Sequence, residues 1–375
     1  MKRAVVILPT YNERENIAPL IRQLQDQFRH ITNYRMSILV VDDNSPDGTQ
    51  TVVRELLLKH PNVHLLTGPK QGLGKAYLRG MDYAINDLNA DVVLEMDADW
   101  QHNPKQIPEF LDKLDQGYDI IVGARYIPGG SVPKNWGWHR KIFSRVGNLL
   151  VRLSLMRFNQ HEWTNGFRAI RSSVYLRVRD KLLDYTGYTF QVAFLHQALL
   201  LNKKIGEIPN KFADRRWGKS KIGAEYIKNL LLYLVQQTLI NPPQFLRFLV
   251  VGGIGFIVQF ITFRLLRGAD LRPALATALS AEVAIVSNFI WNNSWTFADQ
   301  KIFTVKQILI KFFQFNLTSL GSIIIQAIIS EIGTRTLGIR YLAFGINTDD
   351  VYLMIGILVG LFWNYTMYKL VIWKK

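Results

Sequence analysis

The sequence predicts an α/β domain built on a mostly parallel sheet, followed by an all-α membrane domain of four helical spans. Three observations predict it. Short β-rich runs alternate with helix-like segments through residue 125. Charged residues recur every few positions as far as residue 240 and thin out from Phe245 onward. Four long apolar runs then follow one another to the end of the chain. At 375 residues the chain has length enough for two such domains.

The strand candidates are "AVVIL" (4–8), "SILVVD" (37–42), "NVHLL" (62–66), "DVVLEMD" (91–97) and "YDIIVGAR" (118–125). Helix-like segments lie between them near 14–29, 49–59, 74–88 and 105–116. Alternation of this kind implies a parallel sheet with helices on both faces. Ligands of such sheets bind beyond the carboxyl ends of the strands. Four of those ends carry polar clusters, "PTYNE", "DDNSPDGT", "DADWQH" and "GARY", which places a crevice there. The expected division is residues 1–221 for this domain, 222–244 for a linker, and 245–375 for the membrane domain. Its spans are expected at about 245–266, 273–295, 310–330 and 351–371, since a span needs ~20 apolar residues.

Two further segments have interfacial character. In 139–158, Lys141, Arg145, Asn148 and Arg152 share one helical face, and Ile142, Val146, Leu149 and Leu153 share another. A basic amphipathic helix of this kind lies in the headgroup plane. Residues 222–239 make a weaker second case. The amino-terminal "MKRAVVIL" is basic and then apolar for about six residues, too short for a secretory core. Lys301, Lys306 and Lys311 between spans two and three, and Lys369, Lys374 and Lys375 after span four, favour both termini on the cytoplasmic side. Arg264, Arg267 and Arg272 after span one pull the other way. The expectation is therefore a multi-pass protein with its first domain cytoplasmic.

The formal charge of +16 suggests anionic partners, phosphates or lipids. No nucleic-acid motif accompanies it. Cysteine is absent, which excludes disulfides and thiolate metal sites.

In an extended strand, residues i and i+2 share a side. Asp97 and Asp99 would then aim two carboxylates at one point, with the Gln101 amide oxygen behind them. Such hard oxygen donors suit Mg²⁺ or Mn²⁺ bridging substrate phosphates. In "VVDDNSPDGT" (40–49), Asp47 sits in a Pro-Asp-Gly turn. Asp43 is placed to accept hydrogen bonds from a ribose or base. "QGLGKA" (71–76) is glycine-rich before a helix but lacks the Gly-Lys-Ser/Thr ending of a P-loop.

Taken together, "PTYNE", "DDNSPDGT", "GLGKA", "DADWQH", "GARY", "SRVGN", "TNGFR" and "FADRRWGKSK" resemble the dolichol-phosphate mannose synthases. Those are inverting, Rossmann-like GT-A glycosyltransferases of family 2. The tail resembles the GtrA-like family through "FLRFLVVGGIG", "SNFIWNNSWTF" and "FWNYTMYKLVIW". The resemblance implies that Pro9, Tyr11 and Glu13 hold the donor base and that Val41 and Asp43 sit at base and ribose. It implies Asp97 and the Ala98 backbone beside the ribose and diphosphate, and Asp99 and Gln101, with Asp97, at the metal. Arg125, Ser144 and Arg145 would meet the acceptor phosphate, and Arg215 and Lys221 would close over the diphosphate. Asp99, Arg125 and Arg215 are the catalytic candidates. One departure is Glu162, where the family commonly has Asp before "TNGFR".

The implied reaction moves a sugar, mannose from GDP-mannose first and a UDP-sugar such as UDP-glucose second, to a polyprenyl phosphate. A phosphate monoester is already anionic and needs positioning more than deprotonation. Arginine forks and a divalent cation neutralise the departing diphosphate. A processive polysaccharide synthase would need Gln-x-x-Arg-Trp, and this chain has Ala213 where the glutamine should stand. A non-catalytic lipid-sugar translocator fits poorly with intact Asp97, Asp99 and Gln101. Oligomeric state is not encoded in any motif.

Overall fold

The computed structural model describes residues 1–214, 224–338, 340 and 348–374. Two compact units divide the chain, Met1–Ile240 and Asn241–Lys375.

The first unit is a seven-stranded sheet. Its strands are β1 (Lys2–Thr10), β2 (Tyr34–Asp42), β3 (Val63–Thr67), β4 (Val92–Glu95), β5 (Ile120–Ala124), β6 (Arg168–Arg171) and β7 (Ile205–Pro209). The order across the sheet is β3-β2-β1-β4-β6-β5-β7. All neighbours are parallel except β6, which runs antiparallel to both β4 and β5. The helices of this unit include α1 (Arg14–Phe28), α2 (Thr49–Leu57), α3 (Leu73–Asn86), α4 (Ile107–Asp115), α5 (Trp138–Leu155), α6 (Ser172–Val178), α7 (Gly187–Leu200) and α8 (Ala224–Ile240).

Strand alternation sorts the core into two layers. Ala4, Val6 and Leu8 of β1 face α1, α2 and α4, through Leu20, Val53 and Phe110. Val5 and Ile7 face α3 and α7, through Met81 and Phe194. Burial on both faces explains why the strands read as continuous apolar runs. Two glycines on α3 let it lie close to its neighbours. A Cβ at Gly80 would meet Ile7 Cγ2 at 2.7 Å, and one at Gly74 would meet the Tyr185 carbonyl oxygen at 2.7 Å. The second glycine of "GLGK", Gly74, therefore serves close packing.

Helix α5 buries Asn148, Val151 and Leu155 against the domain. Its aliphatic face stays open, with Ile142, Val146, Leu149 and Leu153 all about half exposed. Beside it, α8 buries Leu230, Tyr233 and Leu234 and exposes Leu231, Leu232, Val235 and Leu239. Thr238 Oγ1 donates to the Ser154 carbonyl across the pair at 3.4 Å.

The second unit is helical: α9 (Gln244–Gly268), α10 (Pro273–Trp291), α11 (Val305–Leu337, 33 residues) and α12 (Thr348–Met367). Among the described residues three helices are long and apolar enough to cross a membrane, Gln244–Gly268, Val305–Leu337 and Met354–Ile372. Helix α10 falls where the second span is expected. An aromatic cluster closes one end, where Phe297 stacks on Trp373 at 4.5 Å. Asn293 ties that cluster together by accepting from Trp373 Nε1 and from the Ile302 amide.

Candidate active site

The polar clusters do gather at the carboxyl ends of β1, β2, β4 and β5. Register pairs Pro9 with Val41 and Thr10 with Asp42. Asp42 is fully buried and accepts from Thr10 Oγ1 (2.9 Å), Ser45 Oγ (2.6 Å) and Gln50 Nε2 (2.7 Å). It is a structural tie between strand ends, turn and α2. Asp47 accepts from the Thr49 and Arg14 amides and from Thr49 Oγ1. Burial pushes against ionisation there, but those bonds hold the carboxyl below its ordinary value. Glu13 accepts from Asn16 Nδ2 at 2.7 Å.

Asp43, 7 % exposed, meets Arg79 Nη2 at 2.6 Å. Burial raises its pKa even though Arg79 opposes the shift. Arg79 also donates to the Pro69 carbonyl at 3.0 Å, so one guanidinium holds the glycine-rich loop and Asp43 together. Lys70 from that loop lies 3.5 Å from the centre of the Tyr11 ring. Arg79 was not singled out from the sequence. Its position one turn after Lys75 on α3 is the only signal, and that pattern equally marks a solvated face.

The carboxylate pair is built differently from the extended geometry expected. β4 ends at Glu95, and Asp97–Trp100 form a turn. The Gln101 amide folds back to Asp99 Oδ1 at 3.1 Å, an Asx-type turn. Trp100 takes φ of +70°, a costly conformation for a bulky residue. The strand cannot continue because Asp97 N–H is bonded to the His102 ring (3.0 Å) rather than to a neighbouring strand. Tyr77 OH donates to Asp97 Oδ1 at 3.0 Å, and Asp99 is 6 % exposed. The backbone of "TNGFR" passes this turn at ordinary contact distance, with the Gly166 Cβ position 3.8 Å from Asp97 Oδ1.

Those residues fit a hard divalent cation by donor chemistry. Gln101 donates its amide nitrogen to the Ala213 carbonyl at 3.3 Å, which assigns its other end as the acceptor oxygen. Two carboxylates and an amide oxygen on one turn are the ligand types such a cation takes.

Arg125 follows β5 and forms a bidentate pair with Glu162, Nε to Oε2 and Nη2 to Oε1, both at 2.7 Å. Nη2 also donates to Thr164 Oγ1 at 2.8 Å. Burial alone would raise the Glu162 carboxyl, but Arg125 outweighs it and holds it below its ordinary value. Glu162 is thus a counter-ion that aims Arg125, each carboxylate oxygen meeting one nitrogen. Arg125 lines a cavity of about 480 Å³ with Tyr126, Arg145, Asn148, Arg152 and His161. Ser144 accepts from Tyr126 OH at 2.5 Å at the start of the same helix face. Arg145 and Ser144 therefore stand beside Arg125, while Arg152 and His161 join the cavity without having been anticipated. Arg215 and Lys221 lie outside the described residues.

Comparison with known proteins agrees with this layout. The model for "Glycosyl transferase family 2" matches residues 5–178, and that for "GtrA/DPMS, transmembrane domain" matches residues 247–373. The dolichol-phosphate mannosyltransferase of Pyrococcus furiosus is 32% identical over 342 residues, covering 90% of this chain and 92% of that protein. The chain belongs to glycosyl transferase family 2, with the dolichol-phosphate mannose synthases. Two other relatives match a shorter share of this glycosyltransferase. The polyprenol monophosphomannose synthase of Mycolicibacterium smegmatis is 37% identical over 237 residues, covering 63% of this chain and 86% of that protein. The undecaprenyl-phosphate mannosyltransferase of Micrococcus luteus is 35% identical over 221 residues, covering 59% and 87%. Behind the family 2 site, burial pushes the Glu95 carboxyl up to about 7, against the nearby charge of Arg168.

Proposed function

We propose that this glycosyltransferase moves mannose from GDP-mannose to a polyprenyl phosphate, with inversion at C1. The observation that carries the reading is the adjacency of two charge patterns. Carboxylates follow β4, and an arginine-lined cavity follows β5, on the side where α5 exposes its aliphatic face. The three relatives, all bearing mannosyl names, support mannose as the sugar.

In this mechanism Tyr11, Glu13 and Asp43 bind the nucleoside, with Pro9 and Val41 shaping its seat. Asp97, Asp99 and Gln101 would hold Mg²⁺ or Mn²⁺, which when bound offsets charge on the departing diphosphate. Arg125, aimed by Glu162, and Arg145 orient the acceptor phosphate beside Ser144. A phosphate oxygen bonds to C1 as the bond from C1 to the diphosphate oxygen breaks, and the nucleoside diphosphate leaves with that electron pair. The acceptor oxygen carries its charge already, so no side chain removes a proton. Arg215 and Lys221 are assigned to the diphosphate.

We place α5 and α8 in the headgroup plane, α9 to α12 across the bilayer as four spans, and the catalytic unit on the cytoplasmic side. The proposed functional division stays 1–221, 222–244 and 245–375, with α8, which packs in the unit Met1–Ile240, counted as the interfacial link. The test is purified protein with labelled GDP-mannose, UDP-glucose and other sugar nucleotides, a polyprenyl phosphate, and Mn²⁺ or chelator. Expected is a single β-linked mannosyl lipid, lost with chelator and in Asp99→Ala. A polymer, a UDP-sugar preference, or chelator-resistant product overturns the reading.

A further inference from the structure

We propose that His102 and Asn165 form an interior positioning relay that fixes the Asp97–Asp99 turn relative to Arg125. The proposal rests on the assignment of those residues to donor and acceptor given above. The His102 side chain is fully buried. Its Nδ1 lies 3.0 Å from the Asp97 amide nitrogen and its Nε2 lies 2.9 Å from Asn165 Oδ1. Asn165 Nδ2 in turn donates to the Gly123 carbonyl at 2.5 Å. Only one set of directions satisfies all three contacts. Asp97 N–H donates to Nδ1, so the ring proton sits on Nε2 and is donated to the Asn165 oxygen. The Asn165 amide nitrogen then donates to β5. Nε2 is also 4.0 Å from Asp97 Oδ2, too long for a hydrogen bond.

The relay joins the turn after β4 to β5 two residues before Arg125. Its surroundings hold it rigid. His102 stacks on Phe167 at 4.9 Å and meets the Phe212 ring edge-on at 5.5 Å. Arg168, fully buried, donates to the carbonyls of Trp163, Asn165 and Gln191 at 2.8–2.9 Å. That pins the loop 163–165, whose Thr164 touches Arg125. One loop thus contacts the histidine on the donor side and the arginine on the acceptor side. Apolar packing would fill this space, but it would not fix direction. In-line transfer needs the two phosphates held in register, and a displacement of about 1 Å costs on the order of 100-fold in rate. His102 touches no substrate in this scheme; it acts through Asp97.

The test uses full-length purified protein and four variants. His102→Phe keeps a ring between Phe167 and Phe212 and removes both bonds. Asn165→Leu breaks the relay at its other end, and the double variant combines the two. His102→Asn offers an amide oxygen where Nδ1 accepted from Asp97. Expected for His102→Phe is a kcat lower by about 10–100-fold with acceptor KM changed less than about threefold. Calorimetric affinity for Mn²⁺ with GDP falls about tenfold. Asn165→Leu loses similarly, and the double variant loses no more than either single. His102→Asn recovers most of the nucleotide affinity. His102→Phe within about threefold of the parent in both readouts, or losses that multiply in the double variant, overturns the relay. Should His102→Phe fail to fold, Asn165→Leu and His102→Asn decide by the same criteria. A parent protein that transfers no mannose sinks the functional assignment alone, because Mn²⁺–GDP affinity is read without turnover.

Discussion

Replacing Glu162 by alanine should cost the first unit more than most substitutions away from its hydrophobic layers. The side chain is 0% exposed and that of its partner Arg125 is 6% exposed. Removal deletes both charge-assisted bonds at 2.7 Å and the acceptor of the Thr164 amide at 3.1 Å. Arg125 is then left as a buried cation with no counter-ion, a change worth about 3–5 kcal/mol. In a unit of this size each kcal/mol moves Tm by about 2–4 °C, so a fall of about 6–20 °C is expected. Thermal unfolding of purified protein at fixed scan rate and detergent measures it. Glu162→Asp keeps the charge but shortens the arm, and should fall by about 1–2 kcal/mol. The double variant Arg125→Met with Glu162→Leu removes both charges and should recover at least half the loss. A fall under about 3 °C for Glu162→Ala, or a double variant as unstable as the two singles added, refutes the buried-pair argument.

His196 packs under α8 with Nδ1 at 2.8 Å from Tyr233 OH, and burial, with help from Arg157, lowers its pKa to about 4. The folded state therefore binds this proton less readily than the unfolded chain. Its contribution of about 3 kcal/mol is complete above the ordinary value of about 6.5 and is lost as pH falls toward 4. His196→Asn should flatten Tm against pH across that window, and an unchanged slope counts against it. Arg79→Met frees Asp43 and the loop at Pro69, and should raise donor KM by about tenfold with kcat changed far less, as initial rates at varied donor would show. Gly74→Val drives a side chain into the Tyr185 carbonyl and Phe190, and should destabilise by about 1–3 kcal/mol in denaturant titration.

Much of this architecture is written in local pattern. β1 and β2 read directly as buried strands because apolar residues occupy both faces, and Asp43, Asp97 and Arg125 follow strand ends. β6 and β7 did not stand out. "RAIR" is four residues with an arginine at each end, and its partners β4 and β5 are distant in sequence. The turn at Asp97–Trp100 was misread as extended strand because alternation of acidic residues mimics strand periodicity. Its actual geometry depends on His102, a tertiary partner that no short window contains. Glu162 and Arg79 were obscure for the same reason. Each is defined by a cation or anion from another element, and a lone charge in sequence looks like solvated surface. The amphipathic faces of α5 were legible, but the polar face is split, with Asn148 turned inward to accept from the Trp163 amide at 2.8 Å.

The length of α11 has its own bearing on the membrane. Its 33 residues rise about 50 Å, against a hydrocarbon layer of about 30 Å. The uncharged middle, residues 312–330, rises about 28 Å, close to that thickness. About two further turns flank it on either side, bearing Lys306 and Lys311 at one end and the Glu331–Arg335 pair at the other. This helix therefore acts as a ruler. With those nineteen residues as the span, a thicker bilayer would drag charge into oil and a thinner one would strip lipid from aliphatic surface.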